Sequence, residues 1–216
     1  MNSRTTSTAL AVAGGALALL LVVGCDRRPG AEPGGGPGPM PSQAAPTMTE
    51  ALPEQQNEEA TVVDWKLTSP DFAEGEPIPA RHTADGADES PQLDWTAPPE
   101  GTVELALICD DPDAPAGTWN HWLVYGLAPD VRGLPGGLAK DAEIADPRLM
   151  QGKTSFGKTG YGGPAPPKGK PHRYQFTLYA LSAPLKLKPG AGKAEVLAAI
   201  TSGTLAQTTL EGTYSR

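Results

Sequence analysis

"HRYQFTLYAL", residues 172–181, decides the fold. His172, Tyr174, Phe176 and Leu178 share one parity, and Arg173, Gln175 and Thr177 share the other. That two-residue period belongs to a strand with one face turned inward. Four more segments of strand length recur: "VVDWKLTS" (62–69), "VELALICD" (103–110), "HWLVYGLA" (121–128) and "TLEGTYSR" (209–216). They are rich in Val, Leu, Ile, Tyr and Trp and are bounded by Pro, Gly and Asp clusters. "LALI" and "WLVYGL" are apolar on both parities, the pattern of strands covered on both faces. Only "GAGKAEVLAAITSG" (190–203) has helical composition, with Gly before it, good helix formers inside and Gly203 after. Many strands, one helix and no βαβ alternation predict an all-β fold. The expected architecture is an antiparallel β-sandwich with a helix near the C-terminus.

On this frame the polar residues gather at strand ends. His172 and Tyr174 begin the inward face of 172–181, delivered there by the Gly- and Pro-rich loop "GYGGPAPPKGKP". His121 shares parity with Leu123, Tyr125 and Leu127. Asp111 and Asp113 continue the parity of Leu105, Leu107 and Cys109, with Pro112 interrupting the run. Taken singly, each also fits a structural role: a hydrogen-bonded core histidine, a Pro-set turn capped by Asp, a core tyrosine with its hydroxyl at the edge. Charge is uneven. Residues 61–147 hold 17 acids against 4 Lys and Arg, and residues 148–216 hold 2 acids against 10. The net charge of −8 does not suggest nucleic-acid binding. The basic half carries the Gly–Pro loop, where a positive field suits an anionic ligand and equally a solvated face.

The N-terminus reads differently. "MNSRTTSTALAVAGGALALLLVVGCDRR" has a basic start at Arg4 and an apolar run from Ala9 to Val23, short for a bilayer span and suited to a signal-peptide core. It ends in "LVVGC", which resembles a bacterial lipobox. The expectation is a signal peptide over 1–24 and a lipidated Cys25. Residues 25–60 then form a Pro/Gly-rich tether with almost no aromatic or β-branched side chains, and a folded domain spans 61–216. The implied location is the extracytoplasmic (periplasmic) side of a bacterial cell membrane, lipid-anchored. With Cys25 lipidated, Cys109 has no partner, so no disulfide is expected and Cys109 reads as a buried small hydrophobe.

"DDPDAPAGTWNHWLVYGL" and "GKTGYGGPAPPKGKPHRYQFTLYAL" resemble the two signature blocks of the phosphatidylethanolamine-binding protein family, in its bacterial YbhB/YbcL (Raf-kinase-inhibitor-like) branch. "SPDFAEGEPIPARHTADGADESPQLDW" is similar to its N-terminal block and "GTLAQTTLEGTYSR" to its ending, so the resemblance covers nearly all of 63–216. It implies one β-sandwich with a small pocket for phosphate-like anions. The pocket would be lined by Asp111, Asp113, Pro115, His121, Ala165, Pro166, His172 and Tyr174. Departures are His82 for a frequent tyrosine, Ala84 for a cysteine, "DESP" (88–91) for "NISP", and Ala165 for a glycine of mammalian members.

In this site His121, beside Asp111 or Asp113, is expected to hold its proton and donate to a phosphate oxygen. His172, Tyr174 and loop amides supply further donors, and the aspartates orient the histidines or accept from an amine or a protonated phosphate oxygen. The expected function is a membrane-tethered protein binding a phosphate-like anion or phospholipid head group, modulatory rather than catalytic. Two alternatives stay open: inhibition of an extracytoplasmic protease or kinase through protein contact, and weak acid–base hydrolysis. Asp and His suit the latter, but no Ser or Cys nucleophile sits in a recognisable elbow. No cofactor is expected, and no metal, since the two His and two Asp lack a short ligand motif.

Overall fold

A computed structural model describes residues 64–216. The expected signal peptide, Cys25 and the tether lie outside the described residues. In chain order the elements are β1 (Leu67–Thr68), β2 (Leu93–Trp95), β3 (Glu104–Asp111), β4 (Trp119–Leu127), β5 (Gly133–Leu134), β6 (Glu143–Ala145), β7 (Arg148–Gln151), β8 (His172–Leu181), α1 (Lys193–Thr201) and β9 (Thr204–Tyr214). Six strands form one sheet in the order β6-β7-β4-β3-β8-β9, and three form a second in the order β1-β2-β5. Every strand pairing in both sheets is antiparallel. The expected sandwich with a helix near the C-terminus is what the described residues form.

The stretches that are apolar on both parities lie at the centre of the large sheet. Leu105, Leu107 and Cys109 of β3 face the small sheet with Trp122 and Val124 of β4 and Tyr174, Phe176 and Leu178 of β8. Ala106 and Ile108 of β3 and Leu123 and Tyr125 of β4 face the other way, against Val196 and Ile200 of α1. Those two helix residues are four apart and so lie on one stripe. The Glu195 carboxylate accepts the Gly192 N–H at 3.0 Å and satisfies one free donor at the helix start. Among the described residues of "VVDWKLTS", Leu67–Thr68 form the strand, which ends where Ser69-Pro70 turns the chain away, since proline cannot extend a ladder. The final strand instead reaches back to Thr204, through threonines that favour extended backbone.

Strict alternation fails twice along β4, where sequence parity had placed His121, Leu123, Tyr125 and Leu127 on one face. Cys109 lies opposite Trp122 but Asp110 lies opposite Asn120, so His121 is an extra residue on β4. Leu107 lies opposite Val124 but Leu105 lies opposite Leu127, so a second extra residue falls at Tyr125–Gly126. Both are β-bulges, which reset which face the following side chains occupy. Gly126 adopts φ 76°, and its N–H donates to Glu104 Oε1 at 3.0 Å. The turn after β3 is fastened to the start of β8 by Asp113. Its Oδ2 accepts the Arg173 backbone N–H at 3.0 Å and Nε–H at 2.9 Å, and its Oδ1 takes Nη2–H at 2.9 Å.

Two outcomes follow for stability. Gly126→Ala forces a side chain into the left-handed region, and its Cβ meets the Met150 methyl at 2.8 Å; urea unfolding should show a loss of about 1–3 kcal/mol. The Arg173 guanidinium holds the Asp113 carboxyl down to about 2. A depressed acid stabilises the fold above its unfolded value, about pH 4, and loses that contribution as pH falls through the folded value. Asp113→Asn should therefore melt at lower temperature than wild type at pH 7, by the modest margin of an exposed pair. The two curves should converge near pH 2.

Candidate functional site

At the end of the sandwich where β3 stops and β8 begins, a cavity of about 300 Å³ opens to solvent. Its polar lining comes from Asp111 on β3, His121 on β4 and His172 at the head of β8. The rest is apolar: Ala114, Pro115 and Ala116 after β3, Trp119 and Phe156, and Ala165, Pro166 and Pro167 of the Gly–Pro loop. Six of the eight residues expected from sequence are thus brought together. Asp113 is not among them, since its carboxylate grips Arg173. Tyr174 sits behind the wall, 1% exposed, with its ring edge-on to His121 at 5.1 Å and 87°. Its buried hydroxyl has no partner among the described residues, and burial followed by the charge of Asp111 pushes its ionisation up.

Asp111 is a turn-former and an orienter together. Its Oδ1 accepts the Asp113 N–H at 2.8 Å, and its Oδ2 accepts His172 Nδ1–H at 2.8 Å. Both oxygens are occupied within the protein, so the His172 ring is fixed and Nε2 is the atom left for a ligand. Asp110, next in the chain, points to the opposite face, where it takes the Lys193 ammonium at 2.8 Å.

His121 corrects the expectation drawn from sequence. The aspartate within hydrogen-bond reach of a cavity histidine serves His172 instead. His121 is buried, and that burial pushes its imidazole below the usual range. The Gly162 carbonyl and then Asp111, Asp110 and Asp88 pull the other way, with smaller effect. The ring is therefore neutral at pH 7, rather than the cation that proximity to acids suggested. Its Nδ1 lies 2.6 Å from the Gly162 carbonyl, which can only accept, so Nδ1 carries the hydrogen and Nε2 is an acceptor. The Gly162 N–H returns a bond to the His121 carbonyl at 2.9 Å. This reciprocal contact needs bare glycines. A Cβ on Gly162 would meet the Phe156 ring at 2.7 Å, and one on Gly163 would meet the His82 carbonyl oxygen at 2.7 Å.

Sequence reasoning missed Trp119 and Phe156. Trp119 falls opposite Asp111, on the cavity side, only because the bulge at His121 shifts the register. Phe156 lies in a turn without periodicity and stacks edge-on against Trp119 at 5.6 Å and His121 at 5.2 Å. It also walls a second cavity of about 300 Å³, which includes Asp88, Lys140 and Lys158. The departures His82 and Asp88 prove to be local ties. His82 Nδ1–H donates to the Glu89 carbonyl at 2.9 Å and its own carbonyl accepts the Tyr161 hydroxyl at 2.8 Å. Asp88 accepts the Gly163 N–H at 2.6 Å.

The family model described as phosphatidylethanolamine-binding protein matches residues 68–215. The chain is 45% identical to the Escherichia coli K12 UPF0098 protein YbhB over 122 residues, which cover 54% of this chain and 77% of that one. It is 44% identical to a UPF0098 protein of Aquifex aeolicus over 153 residues, covering 70% of this chain and 88% of the relative. A Mycobacterium tuberculosis protein named "Putative lipoprotein LppC" is 37% identical over 218 residues, 99% of each chain. Among solved structures, E. coli YbcL, described as a member of the mammalian PEBP family, superposes with a TM-score of 0.64 at 32% identity. That match covers 70% of this chain and 98% of YbcL. The match to the family model spans both sheets and every cavity residue named above, and the chain belongs to the phosphatidylethanolamine-binding protein family.

Proposed function

We propose that this protein is a membrane-tethered binding protein whose end cavity receives a small phosphate-like group, either free or as the head group of a phospholipid. The observation that carries the reading is the paired arrangement of Asp111 and His172 in a cavity of about 300 Å³ with an otherwise mainly apolar lining. That volume is at the small end of ligand sites and suits a head group better than acyl chains. The negative charge of Asp111 is spent on an amide and an imidazole, so the ligand meets the far nitrogen of His172 rather than a bare carboxylate. Apolar walls strengthen each hydrogen bond made there. The tether reading rests on the lipobox-like "LVVGC" before Asp26, supported by similarity along the whole chain to a protein named as a lipoprotein. Lipidation at Cys25 would hold the domain at the extracytoplasmic, periplasmic face of the membrane.

Calorimetric titration of the full chain with inorganic phosphate and with phosphoethanolamine checks the proposal. Either ligand should bind, and His172→Ala should weaken binding about 10- to 100-fold, the worth of one charge-assisted hydrogen bond. An affinity unchanged in His172→Ala, or no heat with either ligand, rejects it. Binding should also tighten between about pH 8 and about pH 6. His121 is held neutral by burial and leaves Nε2 as an acceptor, so a phosphate oxygen that carries a hydrogen fits it better than a bare one, and affinity rises as protons become available. A flat pH profile would exclude His121 from the ligand's contacts.

A further inference from the structure

The amide that joins Gly162 to Gly163 is held at both ends. Its carbonyl accepts His121 Nδ1–H at 2.6 Å, and its N–H donates to Asp88 Oδ1 at 2.6 Å. Carbonyl and N–H belong to one conjugated unit. Carboxylate, amide and imidazole therefore form a continuous chain of hydrogen bonds, each polarising the next. The second Asp88 oxygen takes the Lys140 ammonium at 2.5 Å. Asp88 itself adopts φ 55°, a left-handed conformation that aspartate tolerates better than most side chains. The backbone is thus bent at the residue whose carboxylate reaches the loop amide.

We propose that Asp88 is a positioning residue for His121: acting through the Gly162–Gly163 amide, it fixes the imidazole with its hydrogen on Nδ1 and leaves Nε2 as an acceptor for the cavity, and Lys140 sets the strength of this effect. A carboxylate at the amide N–H draws charge toward the carbonyl oxygen and makes it a stronger acceptor for Nδ1–H. Lys140 opposes this by neutralising Asp88 from the side of the second cavity.

Other groups face the ring, and none replaces this connection. Asp111 and Asp110 on β3 add negative field, and Asp111 makes its hydrogen bonds elsewhere. Asp110 is paired with Lys193. Tyr174 on β8 and Phe156 in the loop present uncharged ring contacts, and His172 stands in the cavity lining paired to Asp111.

The consequence for ligands rests on the phosphate reading above. A cavity that offers an acceptor at His121 favours a ligand that brings a hydrogen, so it should prefer the singly protonated phosphate monoanion to the dianion. The positioning itself does not depend on any ligand.

The test is a pH titration of the full chain labelled with 15N-histidine, without ligand, in which His121 is assigned by its loss in His121→Gln. Wild type should show one neutral tautomer with the hydrogen on Nδ1. Asp88→Asn keeps an oxygen that can accept the Gly163 N–H but removes the charge, and should lower the His121 midpoint by about 0.5 pH unit. Lys140→Met, a change at an exposed side chain, should raise the midpoint by a similar amount. Opposite shifts support the proposal, because a loosened loop would move both variants the same way. If Asp88→Asn fails to fold, the upward shift in Lys140→Met decides alone. Shifts of the same sign, no shift, or a wild-type ring with its hydrogen on Nε2 overturn it. Inorganic phosphate added to the wild type is a separate arm. If the midpoints move oppositely and phosphate does not bind, the positioning stands and the binding function falls.

Discussion

The interior of β3 and β4 is apolar on both faces, and the rest of the molecule is arranged around covering it. Leu105 and Leu107 need the small sheet on one side, while Ala106, Ile108, Leu123 and Tyr125 need α1 and its flanking segment on the other. Each fully buried side chain of Leu or Ile size contributes about 1.5–3 kcal/mol, so leaving either face open would cost a large share of the roughly 5–15 kcal/mol by which a domain is stable. Polar side chains are excluded from the middle of these strands and collect where the ladder ends. Asp110, Asp111, Asn120 and His121 all lie at that boundary. The cavity is thus placed by the core.

At that boundary small backbone irregularities have chemical effects. One inserted residue in β4 puts Trp119 on the cavity side and turns His121 toward Tyr174 and the Gly–Pro loop. Two consecutive acids are separated by strand alternation. Asp111 orients His172 in the cavity, and Asp110 binds Lys193 at the start of α1 on the opposite face. Two glycines without side chains let the loop approach closely enough for its amide to bond the imidazole.

The uneven charge along the chain also has a structural explanation. Acids of the first half meet cations of the second: Asp110 with Lys193, Asp113 with Arg173, and Asp85 with Arg216. Part of the asymmetry that sequence reading connected with an anionic ligand is thus internal complementarity. Lys168 and Lys170 lie on the exposed stretch of the Gly–Pro loop, between the cavity residues Pro167 and His172. Against this background the neutral state of His121 is a local matter, set by burial rather than by the field of the whole half-chain.

Sequence alone determined the alternation of β8, the double-faced burial of β3 and β4, the late helix and the class of architecture. These follow from short-range periodicity, which any window of eight to ten residues displays. The strands β2, β5, β6 and β7 span two to four residues and were illegible, because a period cannot be read from so few positions. Trp119 and Phe156 were likewise missed, since their places depend on a register shift and a turn. Only the tertiary structure decided that Asp111 pairs with His172, that Asp113 is held by Arg173, and that His121 shares its proton with a glycine carbonyl. Partners such as Asp111 and His172 lie 61 residues apart. Which of several nearby acids meets which imidazole is fixed by strand register, and the charge each carries is fixed by burial. Neither quantity exists until the chain is folded.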